Sequence, residues 1–187
     1  MNVSSATVPS LGAIRDLVEA LRDPELHDVT LGDLGLIGEI TVEPASGREG
    51  PSDAERWSVV VELLPTFLGC PALDLLQQDI VSVLTTFGAQ SVIVPIICTP
   101  VWTPQSISER GRSRLALLGV AVPNANGESN CTRCQSPNLV HVVSVGASAC
   151  RSLGRCESCG ELVESMRGPA DNRPGVAVSW IPRRLVP

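Results

Sequence analysis

The sequence is poor in aromatic side chains, with no tyrosine, two phenylalanines and three tryptophans among 187 residues. A core built mainly on large rings is therefore excluded, and leucine, valine and isoleucine must supply most of the buried surface. Apolar residues make up 43% of the chain. That length and composition suit one ordinary domain with a small appendage, or one larger domain.

Long apolar runs and excess positive charge are also missing. No run approaches the roughly 20 residues of a membrane span, and the N-terminus lacks the basic start and apolar stretch of a signal peptide. Lys and Arg number 14 against 20 Asp and Glu, a formal net charge of −6, which suits phosphate neutralisation poorly. We therefore expect a soluble cytoplasmic protein that binds neither membrane nor nucleic acid.

Common catalytic motifs are not found. The two histidines, His27 and His141, stand far apart, and each is interpreted as a surface or structural residue. The sequence has no Ser-His-Asp pattern, no phosphate-binding glycine loop and no HExxH metal motif.

Cysteine is the residue type that indicates chemistry. Five of the seven cysteines fall within residues 131–159, and four of them form the pairs Cys131-Thr-Arg-Cys134 and Cys156-Glu-Ser-Cys159. In a reducing cytosol such pairs indicate a metal site rather than disulfides. Four thiolates suit Zn²⁺ in a closed structural site, with iron as an alternative in the same cage. The spacing predicts a zinc ribbon over residues 128–167, with strands over about 138–145 and 161–166.

The preceding part of the chain predicts an α+β domain over residues 8–122. Helical periodicity follows Ser10 and Cys70-Pro71, and a third helix is predicted from Thr103 to about Leu118. The segment 30–35 is interpreted as a turn. Strands are predicted over 36–42, 57–64 and 91–98.

The strands predict a small mixed sheet. We expect strand 57–64 to be buried on both faces, and Pro95 places strand 91–98 at a sheet edge or bulge. A helix between these two strands implies a parallel crossover. The predicted fold class is thus α+β, a small mixed sheet with three helices and a C-terminal zinc-ribbon module. Residues 168–187, with four prolines, are predicted to be a disordered tail.

Cys70 stands alone in Gly69-Cys70-Pro71, at the predicted start of a helix. Unpaired backbone N–H groups and the helix dipole favour an anion there, so we expect a lowered thiol pKa and a reactive or metal-binding thiolate. Thr66 can place a hydroxyl nearby. The alternative is a small buried apolar residue at a helix cap, and Cys98, after an apolar strand, is expected in the core.

Two further features allow more than one interpretation. Asp23 and Glu25 flank Pro24 and form either a general acid–base pair or a solvated turn after the first helix. Cys150 precedes Cys156 by six residues. It is a spare metal ligand, a cluster contact or a packing residue, and packing is the favoured interpretation.

Three segments resemble, in order, motifs of the metal–sulfur cluster biosynthesis domain family: Arg22-Asp23-Pro24-Glu25-Leu26, Asp33-Leu34-Gly35 and Pro65-Thr66-x-x-Gly69-Cys70-Pro71. With the ribbon behind this domain, residues 10–166 resemble the PaaD-like accessory subunits of bacterial phenylacetyl-CoA epoxidase systems. The resemblance implies that Cys70 is the candidate cluster-handling residue. It maps the family's acidic turn onto Asp23 and Glu25, and its threonine onto Thr66.

The resemblance implies a function in iron–sulfur cluster assembly or maturation for an epoxidase of aromatic-acid catabolism. The chain would hold structural zinc in the ribbon and a transient iron–sulfur cluster at Cys70. Its client would be an oxygenase or a reductase, and a homodimer is one possible form of the protein. Two alternatives stay open: a non-catalytic docking subunit of an oxygenase complex, and a thiol-dependent enzyme using Cys70. We expect an accessory protein rather than an enzyme.

Overall fold

The computed structural model describes residues 8–44, 57–67 and 69–168. The predicted tail therefore lies outside the described residues, apart from Gly168. Residues 45–56 between the first two predicted strands also lie outside them. Within the described ranges the chain forms two small sheets and four α-helices, the longest of 14 residues. No helix in these ranges has the length and hydropathy needed to cross a membrane.

The first sheet is three-stranded and mixed. Its part of the chain contains α1 (Leu11–Glu19), α2 (Leu31–Leu34), β1 (Ile37–Pro44), β2 (Trp57–Leu63), α3 (Leu73–Thr86) and β3 (Ser91–Ile93). β1 pairs antiparallel with β2, and β2 pairs parallel with β3, which gives the order β1-β2-β3. The predicted parallel connection through a helix is confirmed, and β3 lies at the edge that Pro95 indicated.

The second sheet is four-stranded and contains the ribbon. It follows α4 (Glu109–Leu117) and consists of β4 (Val120–Ala121), β5 (Leu139–Val143), β6 (Arg151–Cys156) and β7 (Leu162–Met166), in the order β4-β7-β6-β5. β4 lies inside the predicted 8–122 domain but pairs parallel with the ribbon strand β7. One sheet therefore crosses the predicted boundary between residues 122 and 128.

The helices differ from the prediction in three places. The predicted turn at residues 30–35 contains the one-turn helix α2, whose N-terminus is capped by a capping box between Thr30 and Asp33. The predicted helix from Thr103 is broken into a 3₁₀ turn over Pro104–Ser106 and the helix α4. Ser108 caps the N-terminus of α4, because its hydroxyl accepts a hydrogen bond from the Gly111 N–H at 3.0 Å. Helix α3 begins at Leu73, three residues after Cys70.

The strands also correct the prediction. Burial alternates along β2, so one of its faces packs on the core and the other is only half-buried. β3 ends at Ile93, and beyond it a single bridge joins Leu63 and Ile96. Cys98, expected in the core, is exposed.

One apolar core spans both halves of the chain. Buried leucine, isoleucine and valine side chains form most of it, many of them from α1, α2, β2 and α3, as the scarcity of aromatics predicts. Met166, the last residue of β7, belongs to the same cluster. The end of the ribbon sheet is therefore packed into the core of the α+β domain.

Candidate functional site

The four paired cysteines form a compact sulfur group. The ligand atoms of Cys131, Cys134, Cys156 and Cys159 all lie within 4.8 Å of one another. The Cys131 and Cys159 sulfurs are 3.7 Å apart, and those of Cys134 and Cys156 are 3.6 Å apart. A tetrahedral zinc site with Zn–S bonds of about 2.3 Å requires S–S distances of about 3.8 Å. The four sulfurs can therefore hold a metal ion, and their spacing fits zinc.

The two Cys-x-x-Cys turns have the same backbone design. The C=O of Cys131 accepts from the N–H of Gln135, and the C=O of Cys156 accepts from the N–H of Gly160. Gln135 and Gly160 both have a left-handed backbone, with φ of 61° and 78°. Each turn thus reverses direction directly after its second cysteine and directs both of its sulfurs to one point.

The protonation preferences of these thiols also favour a cation. Burial opposes ionisation of Cys156, but N–H groups of Cys159 and Ser158 donate to its sulfur and lower the pKa of Cys156 to about 6. At Cys159 the N–H of Glu161 favours the thiolate, but desolvation and the neighbouring thiols outweigh it and raise the pKa of Cys159 to about 12. A divalent cation would allow all four sulfurs to be thiolates.

A second group of site residues lines a small cavity between the α+β domain and the ribbon sheet. Its volume is about 20 Å³, room for about one water molecule. The structure brings together there the four residues that the family resemblance singled out, and one more cysteine, in a polar set: Asp23, Glu25, Thr66, Cys70 and Cys150. Apolar side chains form the rest of the wall, and they include residues of α2, α3 and β7.

The predicted lowering of the Cys70 pKa is wrong. Burial raises the pKa of Cys70, and the carboxylates of Glu25 and Asp23 raise it further, while the N–H groups of Ala72 and Leu73 lower it only in part. The N–H groups before α3 favour the thiolate, but burial of the sulfur and the acidic turn beside it have the larger effect. The raised pKa favours the neutral thiol of Cys70 over a free thiolate.

Asp23 organises the acidic turn. Its Oδ1 accepts hydrogen bonds from the N–H groups of Glu25 and Leu26, at 2.8 and 2.9 Å. Burial raises the pKa of Asp23 despite these bonds and the nearby guanidinium of Arg151. Asp23 is thus not a fully solvated turn residue, whereas Glu25 is exposed at the edge of the same cavity.

Cys150 lies with Cys70 and not with the zinc-ribbon thiols. Only 8% of its surface is exposed, and it is absent from the four-sulfur group in the described chain. Its sulfur lies 3.1 Å from Ser148 Oγ and 3.9 Å from Glu25 Oε2. Burial raises the pKa of the Cys150 thiol, and the charges of Glu25 and Cys70 add to the rise. The interpretation of Cys150 as a spare ribbon ligand is therefore wrong.

Arg167 joins the two cysteine-bearing segments. Its main-chain N–H donates to the C=O of Cys150 at 2.9 Å, and its guanidinium donates to the C=O of Ala149 at 2.6 Å. The guanidinium carbon also lies 5.4 Å from the centre of the Phe67 ring. Phe67 precedes Cys70, whose N–H donates to the Phe67 C=O at 3.1 Å.

Sequence reasoning missed this role of Arg167 because it missed β6. The antiparallel register pairs Arg151 with Met166, which puts Cys150 opposite Arg167. The sequence gives no clear signal for this strand, because the residues that β6 buries at alternate positions are Ser152, Gly154 and Cys156 rather than large apolar side chains.

A family model and a known relative agree with the resemblance that the motifs indicated. A family model of the PaaD zinc beta ribbon domain matches residues 120–167, the span from β4 to β7. The chain is 31% identical over 160 residues to a putative 1,2-phenylacetyl-CoA epoxidase subunit of the D type from Escherichia coli K12, and the match covers 82% of this chain and 90% of that protein. A crystal structure of a DUF59 domain of unknown function from Bacillus anthracis is similar with a TM-score of 0.47 and 23% identity, over 57% of this chain and 91% of that one.

Proposed function

Since the chain belongs to the PaaD family, the D-type subunits of phenylacetyl-CoA epoxidases, we propose that it is an accessory protein for iron–sulfur cluster assembly or maturation in such an epoxidase. The observation that supports this most is the cavity at Cys70. Two acidic side chains from a turn more than 40 residues earlier, Asp23 and Glu25, line this cavity together with Thr66, which precedes Cys70 by four residues. Sulfur and carboxylate oxygen are both ligands for iron.

The two thiol sites of the chain differ in how completely they can surround a metal, which suits one to permanent binding and the other to transfer. The four ribbon thiols surround their centre completely and suit a permanently bound zinc ion. Cys70 belongs to an incomplete ligand set beside a surface carboxylate. An incomplete set leaves iron coordination positions for a client protein, so the cluster is cargo rather than a resident cofactor.

Its clients would be the other subunits or the reductase of the epoxidase, because the curated relative is described as an epoxidase subunit. No turnover of an organic substrate is needed for this function. We propose the cytoplasm as the site of action.

A docking function is the second candidate. β5 is an edge strand of the ribbon sheet. Exposed valines lie along this strand and just beyond its end: Val140, Val142, Val143 and Val145. Edge strands with unpaired backbone groups are suited to pairing with another chain. In this function the ribbon binds an epoxidase subunit and Cys70 is dispensable.

The thiol-enzyme alternative has less support. In the described chain no histidine lines the Cys70 cavity, and burial raises rather than lowers the pKa of that thiol. Both features disfavour a nucleophilic thiolate. Alkylation of Cys70 at neutral pH at a rate well above that of exposed Cys98 would reverse this ranking.

Anaerobic reconstitution tests the proposal. Wild-type protein, Cys70→Ala and the matched control Cys98→Ala are incubated with ferrous iron and sulfide, and bound iron, sulfide and zinc are measured with visible absorption. We expect a cluster on wild type and on Cys98→Ala, and its loss from Cys70→Ala with zinc retained. A cluster bound equally by Cys70→Ala would contradict the proposal.

A further inference from the structure

Two cysteines line the cavity of the cluster site, one from each half of the chain. Cys70 precedes α3 in the α+β domain, and Cys150 precedes β6 in the ribbon. We propose that Cys150 is the second protein sulfur ligand of the cluster, so that the cluster is bound between the two halves. This inference rests on the proposed function and adds a ligand, and a binding mode, to it.

The surroundings of Cys150 are those of a ligand rather than of a packing residue. It is buried, yet it belongs to neither of the two apolar clusters of the described chain. Its sulfur lies beside two polar groups, the hydroxyl of Ser148 and the carboxylate of Glu25, although apolar side chains such as Met166 line the same cavity. These polar contacts distinguish Cys150 from a cysteine that only fills space in an apolar core.

The backbone around Cys150 is held in place before any metal binds. Its C=O accepts from the N–H of Arg167, and Arg151 Nε donates to Ser148 Oγ at 2.8 Å. Arg167 also holds the Ala149 carbonyl and lies over Phe67, next to the Cys70 segment. A ligand set held by its neighbours loses little entropy on binding.

The candidate ligands are wider apart than the ligands of one metal ion. Among described residues, the four ribbon cysteines are the one group of three or more ligand atoms within 4.8 Å of each other. Cys70, Cys150 and Glu25 are therefore not a closed single-ion site. A cluster is wider than an ion, and ligands to its different irons stand farther apart.

The cavity holds about one water, which is too small for a cluster. Because Glu25 is exposed and its Oε2 lies 3.9 Å from the Cys150 sulfur, the cavity can open to solvent on this side as the cluster binds. Each sulfur releases its proton to water and displaces one ligand from an iron of the incoming cluster, so one S–H bond and one iron–ligand bond break for each Fe–S bond that forms. No electron is exchanged in this step.

Reconstitution of Cys150→Ser, with Cys98→Ser as the matched control, tests the inference. We expect Cys150→Ser to retain zinc but to lose its cluster to an iron chelator at least about tenfold faster than wild type. Loss of a residue that only supports a metal ligand already lowers metal affinity by about tenfold or more, and loss of a ligand should have at least that effect. Its visible circular dichroism should also change. Unchanged spectra and lifetime, with the cluster still lost in Cys70→Ser, would overturn the inference and leave the proposed function standing. Failure of wild type to bind a cluster would instead refute the proposed function.

A measurement on wild type avoids any folding defect of the variant. Apo and cluster-loaded protein are alkylated under mildly denaturing conditions, and each cysteine is followed by mass spectrometry. We expect the cluster to protect both Cys70 and Cys150, while Cys98 reacts equally in the two forms. Protection of Cys70 alone, with the cluster shared by two chains in native mass spectrometry, would overturn the inference.

Discussion

The guanidinium carbon of Arg167 lies 5.4 Å from the centre of the Phe67 ring, which joins the end of the ribbon to the segment before Cys70. Arg167 directly follows β7, and only 8% of its surface is exposed. A desolvated cation over an aromatic ring contributes up to about 2 kcal/mol. The contact therefore couples the positions of the two cysteine segments.

The first prediction concerns this coupling. Arg167→Met removes the cation over Phe67 and the guanidinium bond to the Ala149 carbonyl, so we expect the free energy of unfolding to fall by about 1–3 kcal/mol. Amide hydrogen exchange should rise in residues 146–150. The control is Arg155→Met, which removes an exposed arginine of β6. Equal exchange in the two variants would contradict the coupling.

The second prediction concerns the metal of the ribbon. Cys134→Ser leaves three thiols, and we expect loss of zinc and unfolding of the β4–β7 sheet, because a structural zinc contributes about 10–16 kcal/mol to the folding of small modules. Since Met166 belongs to the main core, the melting temperature of the whole protein should also fall. Zinc analysis and circular dichroism measure both effects. Cys98→Ser should keep its zinc, and a Cys134→Ser protein with full zinc content would contradict the assignment.

Asp33 joins α2 to α4 through a buried carboxylate. Its side chain is 1% exposed and accepts from Arg110 Nε at 2.6 Å, from Ser108 Oγ at 3.2 Å and from the Thr30 N–H at 3.2 Å. Burial opposes its charge, but these donors together lower the pKa of Asp33 below its ordinary value. The carboxylate is thus a stabilising anion in the folded protein.

The third prediction follows from this network. Asp33→Asn keeps the shape but removes the charge, and we expect a loss of about 1.5–3 kcal/mol at pH 7, the range for hydrogen bonds to charged groups. Asp28→Asn, at an exposed aspartate, should change the unfolding free energy by less than about 1 kcal/mol. Urea denaturation measures both, and equal effects would contradict the role given to Asp33.

The fourth prediction gives the pH dependence of the same group. Because the folded pKa of Asp33 lies below the unfolded value of about 3.9, its contribution is complete above that value and is lost as pH falls through the folded pKa. The gap between wild type and Asp33→Asn should therefore stay constant from pH 7 to about 5 and narrow below about pH 4. A gap that widens with acid would contradict the lowered pKa.

Much of the fold, and part of the site, could be predicted from sequence. Apolar periodicity predicts α1, β2 and α3 because those elements bury one face each. It fails from Thr103 to Leu118, where Ser108 offers the backbone a new cap, and at β6, whose glycine and arginines weaken the strand pattern. The paired cysteines are visible because both ligand pairs are local. Cys150 and Glu25 are 125 positions apart, and no local pattern encodes their contact.

The last prediction tests the close packing of α4 on α2. A Cβ added at Gly111 would lie 2.5 Å from the backbone oxygen of Asp33, which cannot move without disturbing the capping box. We expect Gly111→Ala to lower the free energy of unfolding by about 1–3 kcal/mol, the cost of overpacking. Gly12→Ala in α1 is the matched control: its Cβ would meet nothing nearer than Ser10 Oγ at 4.0 Å, so it should stabilise the protein by about 0.5–1 kcal/mol through the lower entropy of its unfolded chain. Urea denaturation measures the two changes in unfolding free energy, which should have opposite signs. A stabilising Gly111→Ala would show that α4 has room to move away from Asp33.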